Sequence, residues 1–177
     1  YLSNDKDVSI KKITVDTTCT VFECYWKNTI YNINGRYSIK KGTYLLTNTN
    51  HKCKFIQGKK IEGTVVGGNI RCLLKLAGTK YMPDFTDKVL FLESMGGEAG
   101  LMSAFLNQLK QMGAFDKIQG LILGTFSKMQ ENNISPTIEE LVVKIINNPD
   151  LPIAKTEEIG HRANSKCIVI GKNIILK

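Results

Sequence analysis

The sequence predicts an α/β fold: a partly parallel sheet flanked by helices and preceded by a β-rich N-terminal segment. After residue 60, short apolar runs alternate with amphipathic stretches, which is the order of strands and helices in an α/β domain. Residues 1–57 are instead rich in β-branched and aromatic types interrupted by turn residues, which is typical of strands joined by short loops. The apolar content of 42% is that of an ordinary globular protein.

The strands of the α/β part are predicted from short runs of apolar residues, a pattern that favours buried strands. The runs cover 61–66, 88–92, 118–123, 153–154, 167–170 and 173–176. Gly67-Gly68 and Gly124 follow two of these runs and are expected to end them.

Three helices are predicted between the strands. Asn69 is expected to cap the first, which would run through Ala77 and stop at Gly78. The third is predicted by apolar residues at helical spacing over 138–146, preceded by the Thr137 and Glu140 pattern of a capping box. The second is predicted by six apolar residues on one helical face before Gly113, namely Leu101, Met102, Phe105, Leu106, Leu109 and Met112.

The charge distribution supports a division of the chain near residue 57. The first 60 residues hold 11 Lys and Arg against 4 Asp and Glu, whereas the remainder holds 13 against 12. We therefore predict a β-rich segment or interdomain insertion at 1–57 and an α/β domain at 58–177. The basic, aromatic first part could bind nucleic acid or form strands with solvated lysines on one face. The absence of any nucleic-acid-binding motif favours the second interpretation.

Cysteine usage and hydropathy predict a cytoplasmic protein that needs no metal or other cofactor. The five cysteines are an odd number and form no C-x-x-C pair, which argues against a disulfide framework and a zinc site and for a reducing compartment. No run approaches the roughly 20 apolar residues of a membrane span. The first residues also lack the basic and apolar regions of a signal peptide, so no membrane association is expected.

Glu93 is the first candidate for chemistry, because it follows an apolar strand and precedes Gly96-Gly97. Functional groups of α/β proteins collect where parallel strands end. A carboxylate there could orient a histidine, as in a catalytic triad, or could pair with a lysine or cap the next helix. The sequence pattern leaves these alternatives open.

His161 is the second candidate. It lies in a glycine-containing loop before the last strands, where general bases are often presented, although an isolated loop histidine is more often a surface residue. Gly67-Gly68-Asn69 is a weaker candidate, since a glycine turn into a helix can present backbone N–H groups to a ligand. Its alternative role is tight packing between strand and helix.

A catalytic serine is not found alongside this acid–base pair. The G-x-S-x-G elbow, which presents a nucleophilic serine between a strand and a helix, does not occur in the chain. Ser94 follows Glu93 directly and is expected to point to the opposite face of the strand. The residues alone therefore predict an acid–base pair without its nucleophile.

Several stretches of the chain match one known family in order and spacing. They are 61–69, 76–79 with 83–85, 88–93, 106–109, 120–126, and Gly160-His161 with Asn164. Together they resemble the C-terminal domain of the LD-carboxypeptidase and microcin-immunity family of serine peptidases, which includes muramoyltetrapeptide carboxypeptidases. The resemblance extends over about residues 58–177.

The resemblance implies a two-domain enzyme whose N-terminal domain carries the serine and the oxyanion donors. The C-terminal domain, of a swivelling β/β/α type, brings the glutamate and the histidine, and by position these match Glu93 and His161. Substrate or interdomain contacts are expected at Gly67, Gly68, Asn69 and Asn164. The nucleophile domain is expected to be absent from these 177 residues, so the chain alone is expected to be inactive.

The substrate implied by the resemblance is a murein tetrapeptide that loses its terminal D-Ala during peptidoglycan recycling in the cytoplasm. A related branch confers immunity by cleaving peptidyl-nucleotides of the microcin C kind. The resemblance also implies that the full protein is a homodimer. Many members have an acidic residue where this chain has Ser94, and a Tyr and an Asp-Arg pair where it has Gly100 and Ser103-Ala104. These departures leave the substrate subclass open, and a non-catalytic module that binds anions or nucleic acid remains the alternative outside the peptidases.

Overall fold

The computed structural model describes residues 51–163 and 165–177 in full, and the first 50 residues only as the backbone of five strands. Those strands are β1 Leu2–Ser3, β2 Val8–Thr14, β3 Thr20–Trp26, β4 Thr29–Asn34 and β5 Leu45–Leu46. Strands β2, β3 and β4 form an antiparallel sheet, and β1 pairs with β5. The predicted β-rich N-terminal segment is confirmed in these strands.

A six-stranded, partly parallel sheet forms the centre of the remaining chain, as predicted. Its strands are β6 Lys54–Gln57, β7 Ile61–Asn69, β8 Lys88–Ser94, β9 Gly120–Phe126, β10 Ile153–Lys155 and β11 Asn173–Leu176. Their order is β11-β7-β8-β9-β10-β6. The four central strands run parallel, whereas β11 and β6 are antiparallel edge strands. The predicted boundary after residue 57 falls directly behind β6.

Five helices lie between the strands in the part of the chain from residue 51 onward that the structure describes. They are α1 Ile70–Leu74, α2 Ala99–Gln111, α3 Ala114–Lys117, α4 Ser127–Glu131 and α5 Ile138–Ile146. The capping box of α5 is confirmed: the Glu140 amide donates to Thr137 Oγ1 at 3.3 Å, and the Thr137 amide donates to the Glu140 carboxylate at 2.7 Å. Helices α3 and α4 were not predicted, because four or five residues are too few to show a helical period.

Two helix predictions need correction. Asn69 caps α1 as expected, accepting a hydrogen bond from the Cys72 amide at 3.3 Å, but the helix ends at Leu74. The chain continues to Ala77 in turns whose amides bond three residues back, which is the tighter winding common at helix ends. In α2, Leu101 was assigned to the buried face but is 43% exposed, whereas Met102, Leu106 and Leu109 of the predicted face are buried.

Three strand predictions also need correction. The glycines of Gly67-Gly68 and Gly124 lie inside β7 and β9 and do not end them. A side chain on Gly67 would come within 2.1 Å of the Phe91 carbonyl oxygen, so this glycine allows close contact with the adjacent strand. Residues 167–170 are not a strand, although residues 166 and 171 on either side of them donate backbone hydrogen bonds to the Glu158 and Val65 carbonyls.

The sheet separates two apolar cores. Alternate residues of β8 face opposite sides, so Leu90 and Leu92 pack against the helices while Val89 and Phe91 face the second core. That second core includes Ile159, in the loop that follows β10. Glu93 is the next residue in the Val89 and Phe91 series and is therefore directed toward this loop.

Candidate active site

The candidate site lies at the carboxyl edge of the sheet, where β7, β8 and β9 end side by side. Asn69 pairs in register with Glu93, and Ser94 pairs with Phe126. The parallel register therefore brings the Gly67-Gly68-Asn69 segment next to Glu93, although 23 residues separate Asn69 from Glu93 in sequence.

Strand β8 ends in two buried polar residues, Glu93 and Ser94. Glu93 is a buried carboxylate with 7% exposure. The Ser94 hydroxyl is also buried and donates to the Gly96 carbonyl oxygen at 2.7 Å. The hydroxyl is therefore engaged by the turn that follows β8, and its expected direction away from Glu93 stays a prediction.

His161 contacts Glu93 directly: its Nδ1 lies 2.6 Å from Glu93 Oε2. With a carboxylate as acceptor, Nδ1 carries the proton and donates it. The neutral ring then presents the lone pair of Nε2, on an imidazole that is 40% exposed, whereas the Glu93 side chain is 9% exposed. The arrangement is an imidazole oriented by a buried carboxylate, a geometry that allows the ring to accept a proton at Nε2.

The electrostatics of the pair favour proton uptake by the imidazole. The hydrogen bond to Glu93 raises the pKa of His161 above its ordinary value, and the negative charge of Glu93 adds to this effect. Partial burial of the ring opposes the shift without cancelling it. The hydrogen bond and the charge of Glu93 therefore stabilise the imidazolium that forms when the His161 ring accepts a proton.

Two glycines hold the loop that carries His161 against the end of β9. The Thr125 amide donates to the Ile159 carbonyl at 2.8 Å. A side chain on Gly124 would come within 2.6 Å of that same carbonyl oxygen, and a side chain on Gly160 would come within 1.7 Å of Thr125 Oγ1. Gly160 also has φ +152°. Both positions therefore require glycine for the loop to approach closely enough for His161 to reach Glu93.

The Gly67-Gly68-Asn69 segment has one tight and one open position. Gly67 lies against β8, as described above. Around Gly68 (φ +143°), which is half-buried, a side chain would meet nothing within 4 Å, so this position borders open space. Asn69 uses its side-chain oxygen to cap α1. Asn164, the remaining predicted contact, lies outside the described residues.

A charged network beside His161 was missed by sequence reasoning. Arg162 lies 3.2 Å from Glu157, and Glu157 also contacts Lys155 at 2.5 Å and accepts hydrogen bonds from Gln130 at 2.8 and 2.9 Å. The Gln130 side-chain oxygen in turn accepts from the Phe126 amide at 3.1 Å. The available signal was an arginine directly after the candidate base, but its partners come from two other segments.

Neither a metal site nor a membrane-spanning segment is apparent in the part of the chain that the structure describes. Within it, no three His, Cys, Asp or Glu side chains are grouped so that they could hold a metal ion. None of its helices is long and apolar enough to cross a membrane.

Comparison with protein families gives a match over residues 62–176 to the LD-carboxypeptidase C-terminal domain. This range includes β7 except its first residue, strands β8 to β11, and both Glu93 and His161. The chain belongs to the LD-carboxypeptidase C-terminal domain family.

Curated relatives of this family domain include two kinds of protein. The "Microcin C7 self-immunity protein MccF" of Escherichia coli is 24% identical over 112 residues, which are 63% of this chain and 33% of that protein. The "Probable murein peptide carboxypeptidase" of Bacillus subtilis is 30% identical over 116 residues, which are 63% of this chain and 36% of that protein. The chain thus spans about a third of the length of these relatives.

Solved structures of similar fold cover nearly the whole chain. The structure of MccF in complex with glutamyl sulfamoyl guanosine matches 98% of this chain and 48% of its own, with a TM-score of 0.62 at 18% identity. A MccF-like protein from Streptococcus pneumoniae in complex with AMP matches 99% and 50%, with a TM-score of 0.59 at 19% identity. At these identities the likeness shows a shared fold and extends the LD-carboxypeptidase assignment no further.

Proposed function

We propose that this chain supplies the glutamate and histidine of a Ser-Glu-His triad in a serine carboxypeptidase that removes the terminal D-Ala from murein tetrapeptides. The observation that carries the proposal is the 2.6 Å hydrogen bond between His161 Nδ1 and the buried carboxylate of Glu93. Family membership supports the same chemistry, and the relative named as a murein peptide carboxypeptidase supports the choice of substrate.

In the proposed reaction, His161 moves the proton and Glu93 holds the ring. Nε2 removes the proton from the serine hydroxyl as its oxygen attacks the carbonyl carbon of the scissile amide. The C–N bond then breaks, and the imidazolium returns this proton to the departing amine of D-Ala. Water attacks the acyl-serine by the same route, releasing the shortened peptide and restoring the serine. Glu93 stabilises the imidazolium in both halves without taking the proton itself.

The serine and its oxyanion donors are proposed to come from polypeptide outside these 177 residues. The sequence has no G-x-S-x-G elbow, and Ser94 is unsuitable for the reasons given above. A complete enzyme of this kind would work in the cytoplasm on recycled wall peptides, and we expect it to be a homodimer. The proposed roles of Gly67, Gly68, Asn69 and Asn164 are contacts to the substrate or to the nucleophile domain.

Cleavage of peptidyl-nucleotides is the second candidate activity. Two observations favour it: the relative that is a microcin immunity protein, and the MccF structures that share the fold over 98% of the chain. The same Glu93 and His161 would serve both substrates, because a murein peptide and a peptidyl-nucleotide both offer an acyl carbonyl carbon to the nucleophile.

The test is a hybrid enzyme in which this chain replaces the matching C-terminal region of the Bacillus subtilis relative. Release of D-Ala from a murein tetrapeptide by the hybrid is the expected result, with no release by the 177-residue chain alone. A peptidyl-nucleotide assayed in parallel separates the two candidates. D-Ala release by the isolated chain would overturn the proposed division of the triad. A well-folded hybrid that is inactive on both substrates would overturn the proposed function.

A further inference from the structure

The charged network next to His161 contains two cations, Lys155 and Arg162, but only one carboxylate, that of Glu157. Among the ion pairs of residues 51–163 and 165–177, Glu157 is the one carboxylate shared by two cations, Lys155 and Arg162. Burial opposes the ionisation of Glu157, but hydrogen bonds from Lys155 and Gln130 and the charges of Lys155 and Arg162 hold its pKa below the ordinary value. One negative charge therefore faces two positive charges.

The surplus charge belongs to Arg162. Lys155 is buried, with 7% exposure, and contacts Glu157 at 2.5 Å. Arg162 is 40% exposed and contacts the same carboxylate at 3.2 Å, with a second, longer contact of 3.5 Å to the Gln130 oxygen. A guanidinium has five N–H donors in a rigid fork. Two contacts from its terminal nitrogens anchor this side chain and leave donors available to an anion.

Arg162 also lies at the edge of the sheet where the leaving group would have to be placed. In a C-terminal residue, the carboxylate oxygens lie roughly 3–4 Å from the amide nitrogen by standard bond lengths. In the proposed reaction His161 Nε2 protonates that nitrogen from about 3 Å. The carboxylate of the departing residue must therefore lie close to the imidazole. The Arg162 guanidinium contacts Gln130 Oε1, which also accepts from the Phe126 amide at the end of β9. Because Phe126 pairs with Ser94, the residue after Glu93, the guanidinium lies at the same edge of the sheet as the Glu93–His161 pair.

We infer that Arg162, anchored by Glu157 and Gln130, binds the anionic group of the departing residue and so restricts cleavage to the end of a peptide. This inference rests on the proposed function and adds a specificity-determining residue to it. Arginine suits the role because its fork matches a carboxylate with two parallel hydrogen bonds. The buried Lys155 neutralises Glu157, which keeps that carboxylate from competing fully for the guanidinium.

A binding experiment on the full 177-residue chain tests the inference without the nucleophile domain. The probes are N-acetyl-D-alanine and its neutral amide, and the readout is the NMR signals of the His161 ring, assigned with a His161→Gln variant. The chain contains only one other histidine. We expect saturable shifts with the carboxylate in the millimolar range, typical of a single charge-assisted contact, and none with the amide.

Three variants make the outcome specific to Arg162. Arg162→Gln should weaken binding of the carboxylate about tenfold, the equivalent of one such hydrogen bond, and Arg162→Lys should restore part of it. Lys166→Gln is the matched control, because Lys166 is an exposed cation of the same loop that pairs with a different carboxylate, Glu158. It should leave the affinity unchanged. An unaltered raised pKa of His161 in Arg162→Gln shows that the dyad remains intact.

The remaining measurements identify which anion Arg162 binds and distinguish a failure of this inference from a failure of the proposed function. If the departing group is a nucleotide phosphate, methyl phosphate should bind with higher affinity than N-acetyl-D-alanine. Equal shifts with acid and amide, or equal losses in Arg162→Gln and Lys166→Gln, overturn the inference. If the hybrid enzyme is active, such a result refutes only the role of Arg162 and not the triad. If the hybrid is folded but inactive, the triad is refuted whatever Arg162 binds.

Discussion

The two histidines of this chain both lie near a glutamate, yet their surroundings act on them in opposite directions. His161 donates to Glu93 at 2.6 Å, and its pKa is raised. His51 is half-buried near Glu158, and burial lowers its pKa, assisted by the charge of Lys166, although the charge of Glu158 acts in the other direction. The Glu158 carboxylate is already engaged by the Lys52 amide at 2.9 Å and by Lys166 at 2.8 Å.

The difference teaches that a nearby carboxylate does not by itself make a base. At His51, the charge of Glu158 raises the pKa of the ring by less than burial lowers it. At His161, the hydrogen bond that the ring donates to the Glu93 carboxylate raises the pKa, because the charged ring is the better donor. His51 has no hydrogen-bond partner among the described residues, so its two nitrogens have no fixed orientation of the kind that catalysis needs.

The largest expected effect separates the two histidines by activity. In the hybrid enzyme, His161→Ala and Glu93→Gln should each lower kcat/KM by about 10³-fold or more, because triad members act as a unit. His51→Gln should leave it unchanged. Initial rates of D-Ala release, with circular dichroism to verify folding, measure the effect. Near-wild-type rates in either of the first two variants would contradict the assignment.

The second effect tests whether the glycine contact at β9 is what brings His161 to its partner. Gly160→Ala places a methyl group against Thr125 and in a backbone region that favours glycine, so it should lower the free energy of unfolding by about 2 kcal/mol. Gly96→Ala, near the same site but with open space and no positive φ, should change it by less than about 0.5 kcal/mol. Urea denaturation measures both. Equal stabilities would show that the loop can yield and that Gly160 does not set its position.

The third effect concerns the pKa of each ring, measured by NMR titration. Glu93→Gln should lower the pKa of His161, because the charge and the charged acceptor are both lost. Glu158→Gln should lower the pKa of His51 as well, but by less, because only a charge acting at a distance is removed. If the two variants produced shifts of equal size, the distinction between a direct hydrogen bond and a distant charge would fail.

The smallest effect is the pH dependence of stability, which should have opposite signs at the two sites. The pKa of His161 in the folded state lies above its ordinary value of 6.5. Its contribution is therefore fully present below about pH 6.5 and is lost as the pH rises through the raised pKa. The pKa of His51 lies below 6.5 when folded, so folding loses stability as the pH falls from 6.5 through the lowered value. Unfolding free energies of wild type, His161→Gln and His51→Gln at pH 5.5 and 9 compare these slopes, and identical slopes in the two variants would contradict the assignment.

Sequence patterns were sufficient for the elements whose signals are local. The capping box of α5, the cap at Asn69 and the apolar run of β8 each depend on neighbouring residues, and each was predicted. The errors at two glycine positions came where a distant contact overrides a local signal. Gly67 and Gly124 look like strand ends in sequence, but in the fold they let one segment pass close to another.

The sequence by itself determined that Glu93 ends an apolar strand and that His161 lies in a glycine-containing loop. Whether the carboxylate would orient the imidazole, pair with a lysine or cap a helix stayed open. Only the tertiary structure decided this, by joining two residues 68 positions apart. The physical reason is that hydrophobic periodicity specifies which face of an element is buried. The partner of a buried carboxylate depends instead on strand register and on close backbone contacts, such as the one between Gly160 and Thr125, and these are fixed when the whole chain packs.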